Sequence, residues 1–381
     1  MNKTKLIFMQ HSQLSPRWVE NFHLDDMAKE FDVEFWDCSE ITRPAFPTPV
    51  VVDKPYVIHI KSMEDLEANL RRVPKDSIPI VDIKRCEGNY HIHKTISRYF
   101  NFRVYINCFT SQLGEKRGKS KTNTKKQLLT WHIGRNICRI LRKEYYRAKT
   151  RKMYHTYTFS SLDTPDNRFR INHPDYERFM CTQSKTTQFA GERYAVYIDN
   201  YFPFHTDIRD REPDLDVEHC APEFYKSLNS FFCSIEKKYG CSVKIASHPT
   251  SLYTENPFDG RQILYNQTPE LIKDALAVVV HTSGAISYVL LNDKPLAMIY
   301  NAAYTQAKRE YSRLQDQAEV MHMSLINTDD ELPEGDVFRH IDDDLRNRYL
   351  HKYLIASAGE SNANIFARYF RVIHDERQRK L

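Results

Sequence analysis

Three polar segments follow apolar, strand-like runs and carry residue types that bind anions or move protons. The first is Asp199, at the end of the run that begins at Tyr194. The other two, in chain order, are Ser247, His248 and Pro249, and then His281, Thr282, Ser283 and Gly284. Parallel strands bind ligands at their carboxyl ends, so we expect the three segments to share one crevice.

The segment from His281 to Gly284 joins an apolar run to a helical pattern. Ser283 and Gly284 permit close backbone approach, Thr282 and Ser283 add hydroxyl donors, and His281 can supply a charge or a hydrogen bond. Such a turn can hold a phosphate at the start of a helix. The alternative interpretation is an ordinary helix cap at a strand–helix junction.

His248 precedes a proline, which holds the histidine backbone extended. Its imidazole can then project from the strand end towards a phosphate or a sugar. A single histidine is more often structural, and the shared crevice with His281 to Gly284 is what favours a binding role.

Asp199 can act as a general base or a nucleophile at the end of a buried strand. An aspartate that caps a turn through its own backbone is the alternative. Asp175 and Glu87 are weaker candidates, and each is expected to be a turn residue. The acidic run from Asp342 to Asp344 is interpreted as a helix start, where acids favour the dipole, and we expect no metal site.

Strand-like and helix-like segments alternate in two separate series along the 381 residues. This pattern predicts an α/β protein with two Rossmann-like domains facing each other across a cleft. We expect an N-terminal domain at 1–190, a C-terminal nucleotide-binding domain at 191–357, and a terminal helix at 358–381 that returns to the first domain. Segments 247–249 and 281–284 follow strands of the second series, so we expect the ligand to bind in the second domain.

Composition excludes several classes of protein. The chain is 41% hydrophobic with only 10 Gly, which excludes collagen-like and wholly disordered chains. Its longest apolar run, Ala275 to Val280, is far shorter than the roughly 20 residues of a membrane-spanning helix. We therefore expect a cytoplasmic protein, peripheral at the inner face of the membrane.

A basic segment lies between Lys116 and Lys152; it contains fourteen Lys or Arg residues and one acid, a net charge of +13. The whole chain has a net charge of +5, so the other residues together carry −8. Within the basic segment, residues 125–151 have the pattern of a basic amphipathic helix. Such a helix favours an anionic membrane surface, with 366–381 as a second contact. Nucleic acid is disfavoured because stacking platforms are missing, and a solvated helix face is the plainest alternative.

The strand ending in Asp199, the Ser247-His248-Pro249 segment and the His281-to-Gly284 turn together resemble the donor domain of GT-B glycosyltransferases of bacterial capsule and lipopolysaccharide assembly. The nearest group has a His-Pro motif and uses CMP-linked acidic sugars; it includes sialyltransferases, polysialyltransferases and Kdo transferases. Asp199 is followed by Asn200 and Tyr201, where the sialyltransferase motif has a second acid and a glycine.

The resemblance implies that His248 contacts the donor phosphate, that Thr282 and Ser283 hold the nucleotide phosphate, and that Asp199 serves the acceptor. It implies transfer of an acidic sugar from a CMP-linked donor to a saccharide or lipid-linked glycan acceptor, without a metal or a further cofactor. A UDP-sugar transferase or UDP-sugar epimerase of the same fold is one alternative. A non-catalytic protein that binds nucleic acid or anionic lipid through 116–152 is another.

Overall fold

The computed structural model describes residues 3–42, 52–107, 132–205, 208–209 and 215–379, with side chains from residue 141 onward in the helix that begins at 132. The described chain forms two units. Unit 1 contains the described residues up to Asn172 and those from Ala356 onward, and unit 2 contains those from His173 to Ile355. This division comes earlier than the expected boundary at 190, because the segment after His173 packs in the core of unit 2 through Tyr176.

Unit 1 is built on a sheet in which every strand pair is parallel. Its order is β3-β2-β1-β4-β5-β6-β7. The strands are β1 Lys5–Gln10, β2 Asp32–Asp37, β3 Val57–His59, β4 Ile78–Asp82, β5 Phe102–Asn107, β6 His155–Ser160 and β7 Phe169–Arg170. The order reverses between β1 and β4, as in Rossmann-type sheets.

Helices pack against this sheet. They are α1 Pro16–Asn21, α2 Leu24–Glu30, α3 Ser39–Thr42, α4 Met63–Arg72, α5 Tyr90–Ile96 and α6 His132–Arg151. One amphipathic pattern runs from Val19 to Phe31 in the sequence and predicts a single helix, but His23 adopts a left-handed backbone with φ 49° and separates α1 from α2. The basic helix predicted at 125–151 is α6 from His132, while 125–131 lies outside the described residues.

Unit 2 contains a second parallel sheet, with the order β10-β9-β8-β11-β12-β13. Its strands are β8 Tyr194–Ile198, β9 Ser242–Ala246, β10 Ile263–Leu264, β11 Ala277–Val280, β12 Leu296–Tyr300 and β13 Leu325–Asn327. All residues of β8 and β11 are buried, as expected for central strands with helices on both faces. The α/β class with two parallel sheets is therefore confirmed.

The helices of unit 2 are α7 Pro174–Gln183, α8 Ala221–Tyr239, α9 Thr268–Asp274, α10 Ile286–Leu291, α11 Ala302–Gln306, α12 Lys308–Val320 and α13 Asp343–Tyr349. Asp342 caps α13 by accepting a hydrogen bond from the Leu345 amide at 3.0 Å. The acidic run at 342–344 is thus a helix start, as predicted.

The last helix, α14 Asn362–Gln378, belongs to unit 1. Its apolar residues Phe366, Phe370 and Ile373 are fully buried in the unit 1 core. The Phe370 ring lies 5.4 Å from that of Phe159 and 6.0 Å from that of Phe31. This helix therefore completes the core that the first half of the chain begins.

Buried Asn172 holds the point at which the chain leaves unit 1 and returns to it. Its side chain accepts hydrogen bonds from the amides of Ala356 and Ser357 at 2.8 and 3.0 Å. The Asn172 backbone also pairs with the Asn362 side chain: its amide donates to Asn362 Oδ1 at 2.9 Å, and its carbonyl accepts from Asn362 Nδ2 at 2.8 Å. A leucine in place of Asn172 would leave several buried polar groups unpaired.

Truncation of the α14 anchor should destabilise unit 1 selectively. We expect Phe370→Ala to lower the free energy of unfolding of unit 1 by about 3–5 kcal/mol, because it leaves a cavity among aromatic rings. Native-state hydrogen exchange measures this on unit 1 peptides, with unit 2 peptides as an internal reference. Val372→Ala, at a position that is 36% exposed on the same helix, is the control. Equal protection in the two variants would show that α14 contributes little to the core.

Candidate functional site

The three predicted segments of unit 2 follow three adjacent strands. Strand β8 lies between β9 and β11, and Asp199, Ser247 and His281 directly follow these strands. Neighbouring strands are about 4.8 Å apart, so the loops after β9 and β11 begin roughly 10 Å apart. The order of the sheet reverses between β8 and β11, and that reversal is where open α/β sheets bind ligands.

The loop after β11 presents backbone donors. Ser283 Oγ accepts a hydrogen bond from the Ala285 amide at 3.1 Å, which shapes the turn. The amides of Ser283 and Gly284 have no acceptor among the described residues, whereas the Thr282 backbone forms a hydrogen bond with the Tyr304 hydroxyl. Gly284 is exposed, and a Cβ added there would meet no heavy atom within 4 Å. The loop can therefore take an anion against its backbone.

His281 lies beneath this loop and is fully buried. Its Nδ1 is 3.2 Å from the Tyr197 hydroxyl, and its ring packs 4.5 Å from that of Tyr304. Burial lowers the pKa of His281 to about 3. The imidazole is therefore neutral at physiological pH, so the charge predicted for it is excluded and a hydrogen bond is what it can offer.

The Ser247-His248-Pro249 segment begins the loop after β9. The Thr250 amide donates to His248 Nδ1 at 3.2 Å, so the neutral ring carries its hydrogen on Nε2. His248 is half-buried, Pro249 is exposed, and the His248 ring lies 4.5 Å from that of His205. Ser247 Oγ is buried without a hydrogen-bond partner among the described residues.

Asp199 is 2% exposed, and its carboxylate bonds both to the loop after β8 and to the loop after β9. One carboxylate oxygen accepts from the Tyr201 amide and the other from the Tyr253 hydroxyl, each at 2.8 Å. Burial raises the pKa of Asp199 to about 6, although hydrogen bonds from Tyr253, Tyr201 and the His248 backbone oppose the shift. Asp199 therefore caps a turn through the Tyr201 amide, as the structural alternative predicts. A pKa near neutrality also suits a general base, and the catalytic role of Asp199 stays a prediction.

Two tyrosines of this edge were missed by sequence reasoning. The Tyr304 hydroxyl is 3.0 Å from Thr282 Oγ1, and the Tyr253 hydroxyl binds Asp199. Tyr304 is in α11, which follows the carboxyl end of β12, so its position after a strand end was the available signal. Tyr253 follows Pro249 in a loop without any periodic pattern, and only the folded structure brings it to Asp199.

The weaker carboxylates have structural partners. Asp175, expected in the first domain, belongs to unit 2, where it accepts hydrogen bonds from Ser287 Oγ and from the Tyr288 hydroxyl. It therefore ties α7 to α10. Glu87 forms an ion pair with Arg142 of α6.

The surfaces expected to meet a membrane differ from each other. In α6, Leu141 and Tyr145 are 64% and 56% exposed, respectively. In α14, Phe366, Phe370 and Ile373 lie inside the unit 1 core, and of the large apolar side chains in the described part of 366–381 only Val372 is exposed. None of the helices in the described residues has the length and apolar character that a membrane span requires.

The sequence matches no protein-family model and no curated protein. Several solved structures are similar over nearly the whole chain. UDP-GlcNAc 2-epimerase from Methanocaldococcus jannaschii has a TM-score of 0.42 and 9% identity, over 97% of this chain and 99% of that chain.

Two glycosyltransferases are similar to the same extent. MurG from Acinetobacter baumannii has a TM-score of 0.40 and 6% identity, over 99% of each chain. The glycosyltransferase SnogD from Streptomyces nogalater has a TM-score of 0.41 and 11% identity, over 98% of this chain and 100% of that chain. Scores and identities this low carry no argument about activity, which depends on the residues described above.

The buried Asp199 should make unit 2 less stable as the pH rises. Its pKa increases from 3.8 to about 6 on folding, so the folded state binds more protons between these values and stability falls as the pH rises through them. The full effect is about 3 kcal/mol. Asp199→Asn should therefore gain up to that amount relative to the native protein between pH 4 and pH 7.

Denaturant unfolding of both proteins at pH 4, 5.5 and 7 measures this difference. Asp259→Asn, which alters an exposed aspartate of unit 2, controls for the loss of one carboxylate. A pH-independent difference between Asp199→Asn and the native protein would contradict the raised pKa.

Proposed function

We propose that unit 2 binds the phosphate of a nucleotide sugar at the carboxyl edge of β9, β8 and β11, and that the protein transfers the sugar to a saccharide acceptor. The supporting observation is the loop after β11, where the successive amides of Ser283 and Gly284 have no acceptor among the described residues and a Cβ added at Gly284 would meet no heavy atom within 4 Å. Backbone amides at a strand–helix turn are a common means of holding phosphate.

His248 supplies the second part of this phosphate site. Its Nε2 carries the hydrogen, because Nδ1 accepts from the Thr250 amide. The imidazole and the loop amides approach the phosphate from two strands that both flank β8. Donors fixed in this way stabilise the negative charge that develops as the nucleotide leaves.

In the proposal, Asp199 fixes the geometry of the loop after β9. It accepts from Tyr253 and from the His248 backbone, so it holds the loop that carries the imidazole. Its second proposed role is to take the proton of the acceptor hydroxyl in an inverting reaction. In a retaining reaction it would instead form a glycosyl ester.

The proposed donor is a CMP-linked acidic sugar, which follows from the resemblance of the His248-Pro249 and Thr282-Ser283 segments to the CMP-sugar group. The proposed acceptor is a saccharide or a lipid-linked glycan. The exposed Leu141 and Tyr145, among the basic residues of α6, support a position at an anionic membrane surface.

Gly284 offers a direct test of nucleotide binding. Gly284→Ala adds a methyl group into open space, so the protein should remain as stable as the native form. If a phosphate packs on this backbone, the methyl group should weaken nucleotide affinity roughly 10-fold or more, by removing charge-assisted hydrogen bonds. Calorimetry with CMP, UDP and GDP measures the affinity and identifies the base.

Gly335→Ala is the matched control, because Gly335 also lies in unit 2 with no atom within 4 Å of an added Cβ. Equal nucleotide affinity in the two variants would place the nucleotide elsewhere. Binding of UDP without CMP would overturn the CMP donor and favour a UDP-sugar transferase or epimerase. Steeply salt-dependent RNA binding without turnover would favour the non-catalytic alternative.

Asp199→Asn tests the catalytic carboxylate. The asparagine side chain can still accept from the Tyr201 amide and donate to the Tyr253 hydroxyl, so the loops after β8 and β9 should keep their positions. Loss of a general base should lower turnover by roughly 10²–10⁴-fold with nearly unchanged nucleotide affinity. Full turnover at saturating substrates would rule out the catalytic role.

Tyr253→Phe distinguishes catalysis from positioning, because it removes one hydrogen bond to Asp199 and leaves the carboxylate intact. If Asp199 only positions the loops, Asp199→Asn should keep its turnover, whereas Tyr253→Phe should weaken nucleotide affinity. Mass spectrometry with donor alone separates the two stereochemical routes, since only the retaining route adds a sugar to Asp199.

A further inference from the structure

We propose that unit 1 contains a phosphate-binding site built on Arg85 and Arg103. The two guanidinium groups converge on one hydroxyl: Arg85 Nη2 donates to Thr156 Oγ1 at 3.1 Å and Arg103 Nε donates to it at 3.4 Å. Two cations held on one neutral acceptor repel each other. Such an arrangement is stable when an anion compensates for the charge.

Arg103 is almost fully buried, with 4% of its surface exposed. Its Nη1 donates to the Val81 carbonyl at 3.1 Å, and its guanidinium lies 5.4 Å and 5.8 Å from the rings of Tyr105 and Tyr154. No carboxylate of the described residues forms an ion pair with it. Burial, and then the charge of Arg85, lower the pKa of Arg103 to about 10.

Arg85 follows strand β4, and its Nε is buried without a partner among the described residues. Its guanidinium also lacks an ion pair with any described carboxylate. Burial is the largest cause that lowers the pKa of Arg85, and the charges of Arg151 and Arg147 in α6 lower it further. Arg147 is partly compensated by Glu144 at 3.4 Å.

The other titratable groups nearby do not balance these charges. Asp82 interacts with Arg103 at longer range, and burial raises its pKa, which weakens it as a counter-charge. Burial lowers the pKa of His93 to about 3, so that imidazole adds no charge. The cluster therefore carries at least two cations against at most one buried anion.

The chemistry of the cluster favours a phosphate group. Guanidinium groups bind phosphate through paired N–H donors, and Arg85 Nε is a donor that no described residue uses. A phosphate carries up to two negative charges, which matches the two arginines. The same chemistry is offered by inorganic phosphate, by a sugar phosphate and by a phospholipid headgroup. This inference does not rest on the proposed function, since it concerns unit 1 alone.

The test is calorimetry of the full chain with inorganic phosphate and with a hexose 1-phosphate, and co-sedimentation with vesicles containing phosphatidic acid. We expect Arg85→Gln to weaken binding of the effective probe roughly 10- to 100-fold, as for loss of charge-assisted hydrogen bonds. Arg98→Gln, at an exposed arginine of unit 1, controls for net charge and should bind like the native protein.

Two further variants distinguish this site from a general charge effect and from the proposed site of unit 2. Arg103→Lys keeps the buried charge but loses the planar fork, so it should weaken binding even though the site remains cationic. Gly284→Ala, which alters the proposed site of unit 2, should leave this binding unchanged. The proposal is overturned if no probe binds, if Arg85→Gln and Arg98→Gln have equal affinities, or if only Gly284→Ala reduces binding.

Discussion

The position of β8 between β9 and β11 is the constraint on which the candidate site depends. All three strands run in the same direction, so the residues that follow them must meet at one edge. The buried Tyr194–Ile198 strand has a hydrogen-bonded neighbour on each side, which leaves its register little freedom. A shift of one residue would move every side chain of this strand to the opposite face of the sheet.

Asp199 combines a cost and a benefit at this edge. Its burial is unfavourable, as the raised pKa shows. Its carboxylate nevertheless joins the end of β8 to Tyr253 and to the His248 backbone, both of which lie in the loop after β9. Buried polar groups with satisfied hydrogen bonds restrict a site to one arrangement. Two buried atoms beside this network, Ser247 Oγ and His281 Nε2, have no hydrogen-bond partner within the described part of the chain.

The elements best predicted from the sequence are those whose local pattern and tertiary role agree. Strands β1, β4 and β9 begin and end at the residues that their sequence patterns predict. The sequence Thr268-Pro269 predicts a helix capped by Thr268, and α9 begins one residue earlier, after Gln267. The two-residue β7 offers no run to detect. The residue types of 172–176 predict a turn, but α7 begins at Pro174, because proline is favoured in the first helical turn.

The same limits apply to the candidate site. Asp199, His248 and His281 were identifiable because each lies beside a recognisable strand. Their partners Tyr253 and Tyr304 depend on contacts between distant parts of the chain, which no local pattern encodes.

The path of α14 affects the order in which the two units can fold during synthesis. Within the described residues, unit 2 is one continuous stretch that can fold as it emerges from the ribosome. Unit 1 lacks part of its core until α14 is synthesised, so the unit that begins first is completed after the other.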